Sequence, residues 1–134
     1  TFLRFGSFEV TLPLDQHKRS APSPADWQLL RRLADHCIGR HFPEVAAVPN
    51  CLDEEDADLA AAPRYRAFVF EVTRRTANLA AAWQCLGVVH GMLNTDNFSV
   101  IGLTLDHGSF AFMDATDGNF VGRPSDSSNR YCSK

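Results

Sequence analysis

A chain of 134 residues with 45% hydrophobic and 22% charged content has globular composition, and as one domain it would bury roughly two-thirds of its unfolded surface. The formal net charge of −3 argues against a general nucleic-acid or anionic-membrane binder. No apolar run reaches the length of about 18 residues that a membrane helix needs, and the first ten residues lack the basic-then-apolar pattern of a signal peptide.

In chain order, Phe2, Phe5, Phe8 and Val10 are apolar anchors among polar residues, which predicts a short strand or extended lead-in. Residues 11–22 hold Pro13, Lys18-Arg19 and Pro22 and predict a surface loop. A helix then starts cleanly. Ser23 can cap it, Pro24 suits its first position, and Asp26 completes a variant capping box. Trp27, Leu30, Leu33, Ala34, Cys37 and Ile38 follow at helical spacing, with Gly39 as the expected stop. His36 and His41, separated by that glycine, share no ligand face and read as solvent-facing or capping side chains.

Residues 45–63 form an expected variable loop, Ala/Pro-rich and then acidic (Asp53-Glu54-Glu55-Asp56, Asp58). Adjacent carboxylates on a loop repel each other, so solvation is a better account than a metal patch. A second, longer helix is expected over about Arg64–Leu86, its apolar stripe made by Phe68, Val72, Leu79, Trp83 and Leu86 and widened by Val69, Thr76 and Ala80. Gly87 should end it. Arg74-Arg75 suit either its polar face or a phosphate. Strand-like segments follow at Val88–His90, Phe98–Ile101, Leu103–Leu105 and Phe110–Met113. No internal repeat is visible. Among Cys37, Cys51, Cys85 and Cys132 there is no C-x-x-C pair. Cys37 and Cys85 fall on apolar helical faces, as buried thiols of a reducing compartment would.

The chemistry concentrates in His90–Gly108, HGMLNTDNFSVIGLTLDHG. Oxygen donors at Asn97 and Asp106, joined by a strand-turn-strand, suit Mg²⁺ carrying nucleotide phosphates. Kinase-like sites share this spacing: a metal-binding Asn seven positions after a His, then an Asp-x-Gly whose Asp also holds metal. Taken alone, Asp106 reads better as a turn carboxylate capping local amides, and Asn97 has an Asx-turn reading beside the metal one; with Asn97 nine residues before it, the metal role of Asp106 is favoured. Met92 stands where a protein kinase has its catalytic Asp, and a thioether cannot accept a proton. The nearest carboxylate is Asp96, the candidate general base. Asp114–Asn119 superficially matches a calcium loop but fails at its fifth position, Gly118, and lacks a closing Glu.

These segments resemble the selenoprotein O family, protein adenylyltransferases with a pseudokinase fold, over nearly the whole chain. Arg4–Glu9 (RFGSFE), His41-Phe42-Pro43-Glu44, Glu71–Ala77 and Trp83-Gln84-Cys85 leading into HG-x-LNTDN carry the likeness. Ser125-Asp126 and Arg130-Tyr131 look like a later family motif, with Asn129 in place of its Gly.

The resemblance implies an α+β, protein kinase-like fold, present in part as a single domain over residues 1–134. It would be a helical C-lobe segment with the catalytic loop and a metal-binding β-hairpin, the N-lobe being largely missing. Lysine occurs only at Lys18 and Lys134, so no phosphate-binding Lys of such a lobe is present. The chain is accordingly expected to be an internal fragment with little activity alone. The implied reaction transfers AMP from ATP, bound flipped relative to kinases, to Ser, Thr or Tyr hydroxyls of proteins. It would depend on Mg²⁺, or alternatively Mn²⁺. Asp96 would be the base, Arg4 would contact nucleotide phosphate, and Asn97 and Asp106 would hold the metal, Asp106 thereby also binding nucleotide. His90 would orient the loop. The partners would be ATP and protein substrates, with no nucleic acid and no membrane. The location would be mitochondrial, as in animal members, or cytoplasmic if bacterial. A kinase-like phosphotransferase and a non-catalytic nucleotide-binding pseudokinase scaffold are the alternatives; a scaffold has no physical need for Asp96, Asn97 and Asp106 together.

Overall fold

The computed structural model describes residues 2–11, 22–51, 55–56, 60–105, 110–115 and 117–121. Its elements are a 3₁₀ helix over Phe5–Thr11, then α1 (Pro24–His41), α2 (Pro43–Ala46), α3 (Ala62–Leu86), β1 (Val88–Val89) and β2 (Ala111–Phe112). Helices with a small antiparallel sheet make this an α+β chain, as its sequence leads one to expect. It divides into two compact units, Gly6–Arg74 and a second joining Thr1–Phe5 to Arg75–Lys134.

The start of the chain corrects the expected strand. Arg4 makes a single isolated bridge, and the 3₁₀ helix begins at Phe5. The reason lies in the spacing: Phe2, Phe5 and Phe8 recur every three residues, which is the 3₁₀ period, whereas a strand needs two.

Within Gly6–Arg74, α1 begins as its sequence predicts. The Ser23 hydroxyl accepts from the Asp26 amide at 3.2 Å, and the Asp26 carboxylate accepts from the Ser23 amide at 2.8 Å. Donation from the Ser23 hydroxyl at 2.7 Å, followed by the amide bond, holds the Asp26 carboxyl below its ordinary pKa. Gly39 does not stop the helix. The chain stays helical to His41 and leaves at Phe42, whose φ of −135° and ψ of 65° lie outside the α region. Pro43 follows, and the residue before a proline is driven from the α region, so the proline sets the boundary.

The core of this unit is Cys37, Ile38, Phe42, Val45, Ala61 and Phe68. Phe42 and Phe68 meet edge to face at 5.2 Å between centroids, and Phe8 lies 6.2 Å from Phe68. A polar link joins α1 to α3: the Tyr65 hydroxyl accepts from Arg31 Nε at 3.1 Å and donates to Asp35 at 2.9 Å. Trp27, expected in the apolar stripe of the first helix, and Val69, expected to widen that of the second, are exposed. His36 is exposed, as expected, and His41 half-buried. The loop expectation for 45–63 falls partly on residues 52–54 and 57–59, outside the described residues. At its ends, Cys51 N–H donates to Ala60 O at 2.8 Å.

In the second unit α3 ends at Gly87, whose φ is +67°, and the chain turns into β1. Val88 pairs with Phe112 and Val89 with Ala111. Met113 N–H donates to Gly87 O at 2.7 Å. Two isolated antiparallel bridges, Arg4 with Ser99 and Phe98 with Thr104, stand where longer strands were expected. Trp83 packs on His90 and Phe98 at 5.4 and 6.0 Å, and Phe5 stacks on Phe98 at 5.4 Å. Cys85 corrects the expectation of a buried thiol: it is exposed. It lies about 200° around the helix from Trp83, away from the packed face. Leu86, expected in the stripe, is 69% exposed.

Ser23→Ala is expected to cost about 1 kcal/mol of stability in denaturant unfolding. The Ser23 hydroxyl's bond from the Asp26 amide persists at any pH, whereas its bond to the Asp26 carboxylate, which lowers that group's pKa, is fully present above the ordinary aspartate pKa of about 4. The deficit of the variant should therefore shrink, without vanishing, as pH falls below it, and a deficit independent of pH would remove the carboxylate bond from the account. The two helix-end glycines should behave oppositely. At Gly87 a Cβ would lie 2.5 Å from Met113 O, whereas at Gly39 it would meet nothing within 4 Å. Gly87→Ala should lose at least about 1–2 kcal/mol, and Gly39→Ala should gain about 0.5–1 kcal/mol. Urea melts of both variants check the signs.

Candidate active site

Residues 90–100 leave β1 and turn sharply at Gly91, where φ is +78°. The loop they form has no ladder of its own, so side chains and scattered backbone bonds satisfy its backbone between them. Asn94 is the organiser. Its Oδ1 accepts from the amides of Asp96 and Asn97 at 3.0 and 3.1 Å, an Asx-type turn. Asn97 Nδ2 donates to Met92 O at 2.9 Å. That acceptor fixes the amide's orientation and leaves the Asn97 Oδ1 carbonyl out of the loop bond. Asn97 itself is buried. Its own backbone oxygen accepts twice, from Leu105 N–H at 3.0 Å and from the Thr104 hydroxyl at 2.7 Å.

The Leu3–Phe5 segment is tied to the same region. Phe5 N–H donates to Phe98 O at 2.9 Å, and Val100 N–H to Leu3 O at 3.2 Å. The wholly buried Ser99 hydroxyl adds a 2.7 Å bond to Leu3 O. This pairing carries Arg4 to Asp96, with 3.6 Å between guanidinium nitrogen and carboxylate oxygen. The two side chains are 53% and 71% exposed, and such solvated pairs contribute at most about 1 kcal/mol. Either partner can be exchanged cheaply for another charge.

Three of the four expected site residues, Arg4, Asp96 and Asn97, thus come together in one unit. The fourth, Asp106, lies outside the described residues, as do Ser125, Asp126, Arg130 and Tyr131. His90 is buried and bonded on both ring nitrogens, to Met92 N–H and to the Thr104 hydroxyl, which fits an orienting side chain. Arg74 grips Glu71 through two 2.7 Å bonds, and this pairing raises its pKa; the arrangement suits the polar face of a helix more than a phosphate site. Among the described residues no three His, Cys, Asp or Glu side chains converge. The donors offered by Asn97 and, from the sequence, Asp106 are hard oxygens. They fit Mg²⁺, which takes few protein ligands and keeps its waters.

Sequence reasoning missed Asn94, Ser99 and Thr104. Asn94 had a readable signal, a side-chain acceptor two and three residues before amides that no regular ladder satisfies. Ser99 and Thr104 had none, because their hydroxyls act on Leu3 and Asn97 across the fold. An apolar cleft of about 470 Å³ in the other unit, lined by Phe8, Trp27, Leu30, Tyr65, Phe68 and Val69 among others, includes none of the expected site residues.

Residues 1–134 match the family described as "Protein adenylyltransferase SelO". The chain is 43% identical over 132 residues to the mitochondrial protein adenylyltransferase SelO of Mus musculus, covering 98% of this chain and 19% of that protein. The Homo sapiens counterpart gives 43% over 132 residues, 98% of this chain and 18% of that protein. The protein nucleotidyltransferase YdiU of Hahella chejuensis gives 40% over 132 residues, 98% of this chain and 22% of that protein. The chain therefore spans about a fifth of the length of the curated relatives it matches. With a match along its full length, and with Arg4 brought beside the loop that carries Asp96 and Asn97, the chain belongs to the SelO protein adenylyltransferase family.

Proposed function

We propose that this chain carries the catalytic loop of a protein adenylyltransferase, an enzyme that moves AMP from ATP to Ser, Thr or Tyr hydroxyls of protein substrates. The observation that carries the reading is the convergence of Arg4, Asp96 and Asn97 on a loop whose kinase-type base position is Met92. The surrounding fold in this proposal is kinase-like, with α3 as the helix before the catalytic loop. The homologues' names support the nucleotidyltransferase class.

In the proposed reaction the acceptor hydroxyl oxygen forms a bond to the α-phosphorus of ATP, and the bond from that phosphorus to the bridging oxygen breaks. Pyrophosphate leaves, and the hydroxyl proton passes to Asp96. Arg4 exchanges the Asp96 carboxylate for a phosphate oxygen when nucleotide arrives, which both binds the phosphate and releases the base. A planar guanidinium suits that exchange, since its donors match phosphate and carboxylate alike. Asn97 and Asp106 would hold Mg²⁺, or Mn²⁺ as the other hard divalent cation, and the bound ion would supply charge neutralisation at the phosphates. Asn94 and Thr104 hold the loop in place for this chemistry. The mitochondrial names of the animal relatives support a mitochondrial location, a cytoplasmic one applying to a bacterial source.

The test uses the full-length protein with Mg²⁺ and ATP labelled at either the α or the γ phosphate. Protein-bound α label is expected, and Asp106→Ala should abolish it. Label from γ alone would make the enzyme a kinase despite Met92; label from neither would favour a nucleotide-binding scaffold. Asp96→Ala should keep most of the ATP binding while lowering turnover about 10²–10⁴-fold, the usual contribution of a general base. Equilibrium binding and single-turnover rates separate the two effects, and unchanged turnover would remove Asp96 from the base role.

A further inference from the structure

We propose that Thr104 is a positioning residue whose hydroxyl couples His90 to the backbone of Asn97. The proposal rests on the reading of Asn97 as a metal ligand given above. A hydroxyl has one hydrogen to donate. That of Thr104 lies 2.7 Å from Asn97 O and 3.4 Å from Leu105 O, so the Asn97 carbonyl takes it. The contact between His90 Nε2 and the Thr104 oxygen must then run the other way, with Nε2–H donating.

An independent bond agrees. Met92 N–H approaches His90 Nδ1 at 3.3 Å, and a donor there requires Nδ1 to be the bare, accepting nitrogen. Both bonds select the Nε2–H tautomer, and moving the proton to Nδ1 would break both of them. The result is a directed relay: Met92 N–H to His90, His90 to Thr104, Thr104 to Asn97 O. Met92 O closes the circuit by accepting from the Asn97 side-chain amide at 2.9 Å. The ring packs at a tilt against Trp83, with 5.4 Å between centroids.

Asn97 is therefore held at both ends of the same residue. Its amide is oriented through Met92, and its backbone through Thr104 and Leu105. Removing the Thr104 hydroxyl takes away the acceptor it offers to His90 Nε2–H and leaves Asn97 O with the Leu105 bond alone. The preference for the Nε2–H tautomer weakens, and the orientation of the Asn97 carbonyl loosens with it. Outer-shell hydrogen bonds of this kind typically carry 10–100-fold in metal affinity or activity.

The experiment compares Thr104→Val, which keeps the side-chain shape, with Thr104→Ser, which keeps the hydroxyl, in the full-length protein. One readout is the Mg²⁺ concentration for half-maximal AMP transfer; the other is the nitrogen spectrum of isotope-labelled His90, assigned by its loss in His90→Gln. The wild-type spectrum should be that of an Nε2–H tautomer. Thr104→Val should alter that signature and raise the Mg²⁺ requirement about 10–100-fold, and Thr104→Ser should restore most of both. If the valine variant melts early, Thr104→Ala takes its place against the serine rescue. An unchanged Mg²⁺ requirement, an Nδ1–H tautomer in the wild type, or a serine variant no better than valine overturns the proposal. Absence of AMP transfer in the wild type would sink the functional reading alone, while the His90 spectra still decide whether the relay exists.

Discussion

The Gly91–Val100 loop mixes exposed residues such as Leu93 and Asp96 with buried ones, Gly91 and Asn97 to Val100, and the buried backbone groups must find partners where no regular ladder supplies them. The cost of leaving one donor or acceptor unmet in such a place is about 1–3 kcal/mol. In this protein side chains and scattered backbone bonds meet the need together: Asn94 takes two amides, His90 takes one, and Asn97 and Thr104 take carbonyls, while Phe5 N–H donates to Phe98 O and Val100 N–H to Leu3 O. Each residue that satisfies the loop also fixes its shape. The geometry around Asp96 and Asn97 is consequently a by-product of hydrogen-bond accounting in a confined space, and the chemistry proposed for these two residues inherits its order from it.

Burial and exposure divide the work. His90, Asn97, Ser99 and Val100 are buried, whereas Arg4 and Asp96 project from the same frame into water. The buried members gain rigidity from low mobility and full satisfaction. The exposed pair keeps its charges solvated, so exchanging Asp96 for a phosphate at Arg4 involves little desolvation. A buried Arg–Asp bridge at this place would resist that exchange, because separating its charges would leave one of them unpaired. The arrangement is that of a stiff support carrying replaceable charges.

Much of the fold was legible where the cause was local. The capping box at Ser23 and Asp26 and the left-handed stop at Gly87 need only nearby atoms, and both were readable from residue types. Gly39 misled because glycine is only permissive, while Pro43 constrains its predecessor outright. The three-residue spacing of the phenylalanines was present in the sequence but carried a 3₁₀ period, not a strand period. Cys85 and Leu86 were read as buried because helical periodicity defines a stripe without saying how far packing partners extend along it. Of the candidate site, Arg4, Asp96 and Asn97 were legible by resemblance to a family pattern, with Asn97 also marked by spacing from His90.

The sequence by itself determined the helix boundaries set by caps and proline, the family, and the identity of the polar groups available for chemistry. These follow from backbone sterics, short-range hydrogen bonds and motif spacing, all of which operate within a few residues. Only the tertiary structure decided that Arg4 meets Asp96, that the Ser99 hydroxyl reaches Leu3, and that Thr104 stands between His90 and Asn97. Those contacts join segments as far as 96 residues apart. Their partners are chosen by which buried groups remain unsatisfied once the chain has folded, and that is a property of the packed chain as a whole.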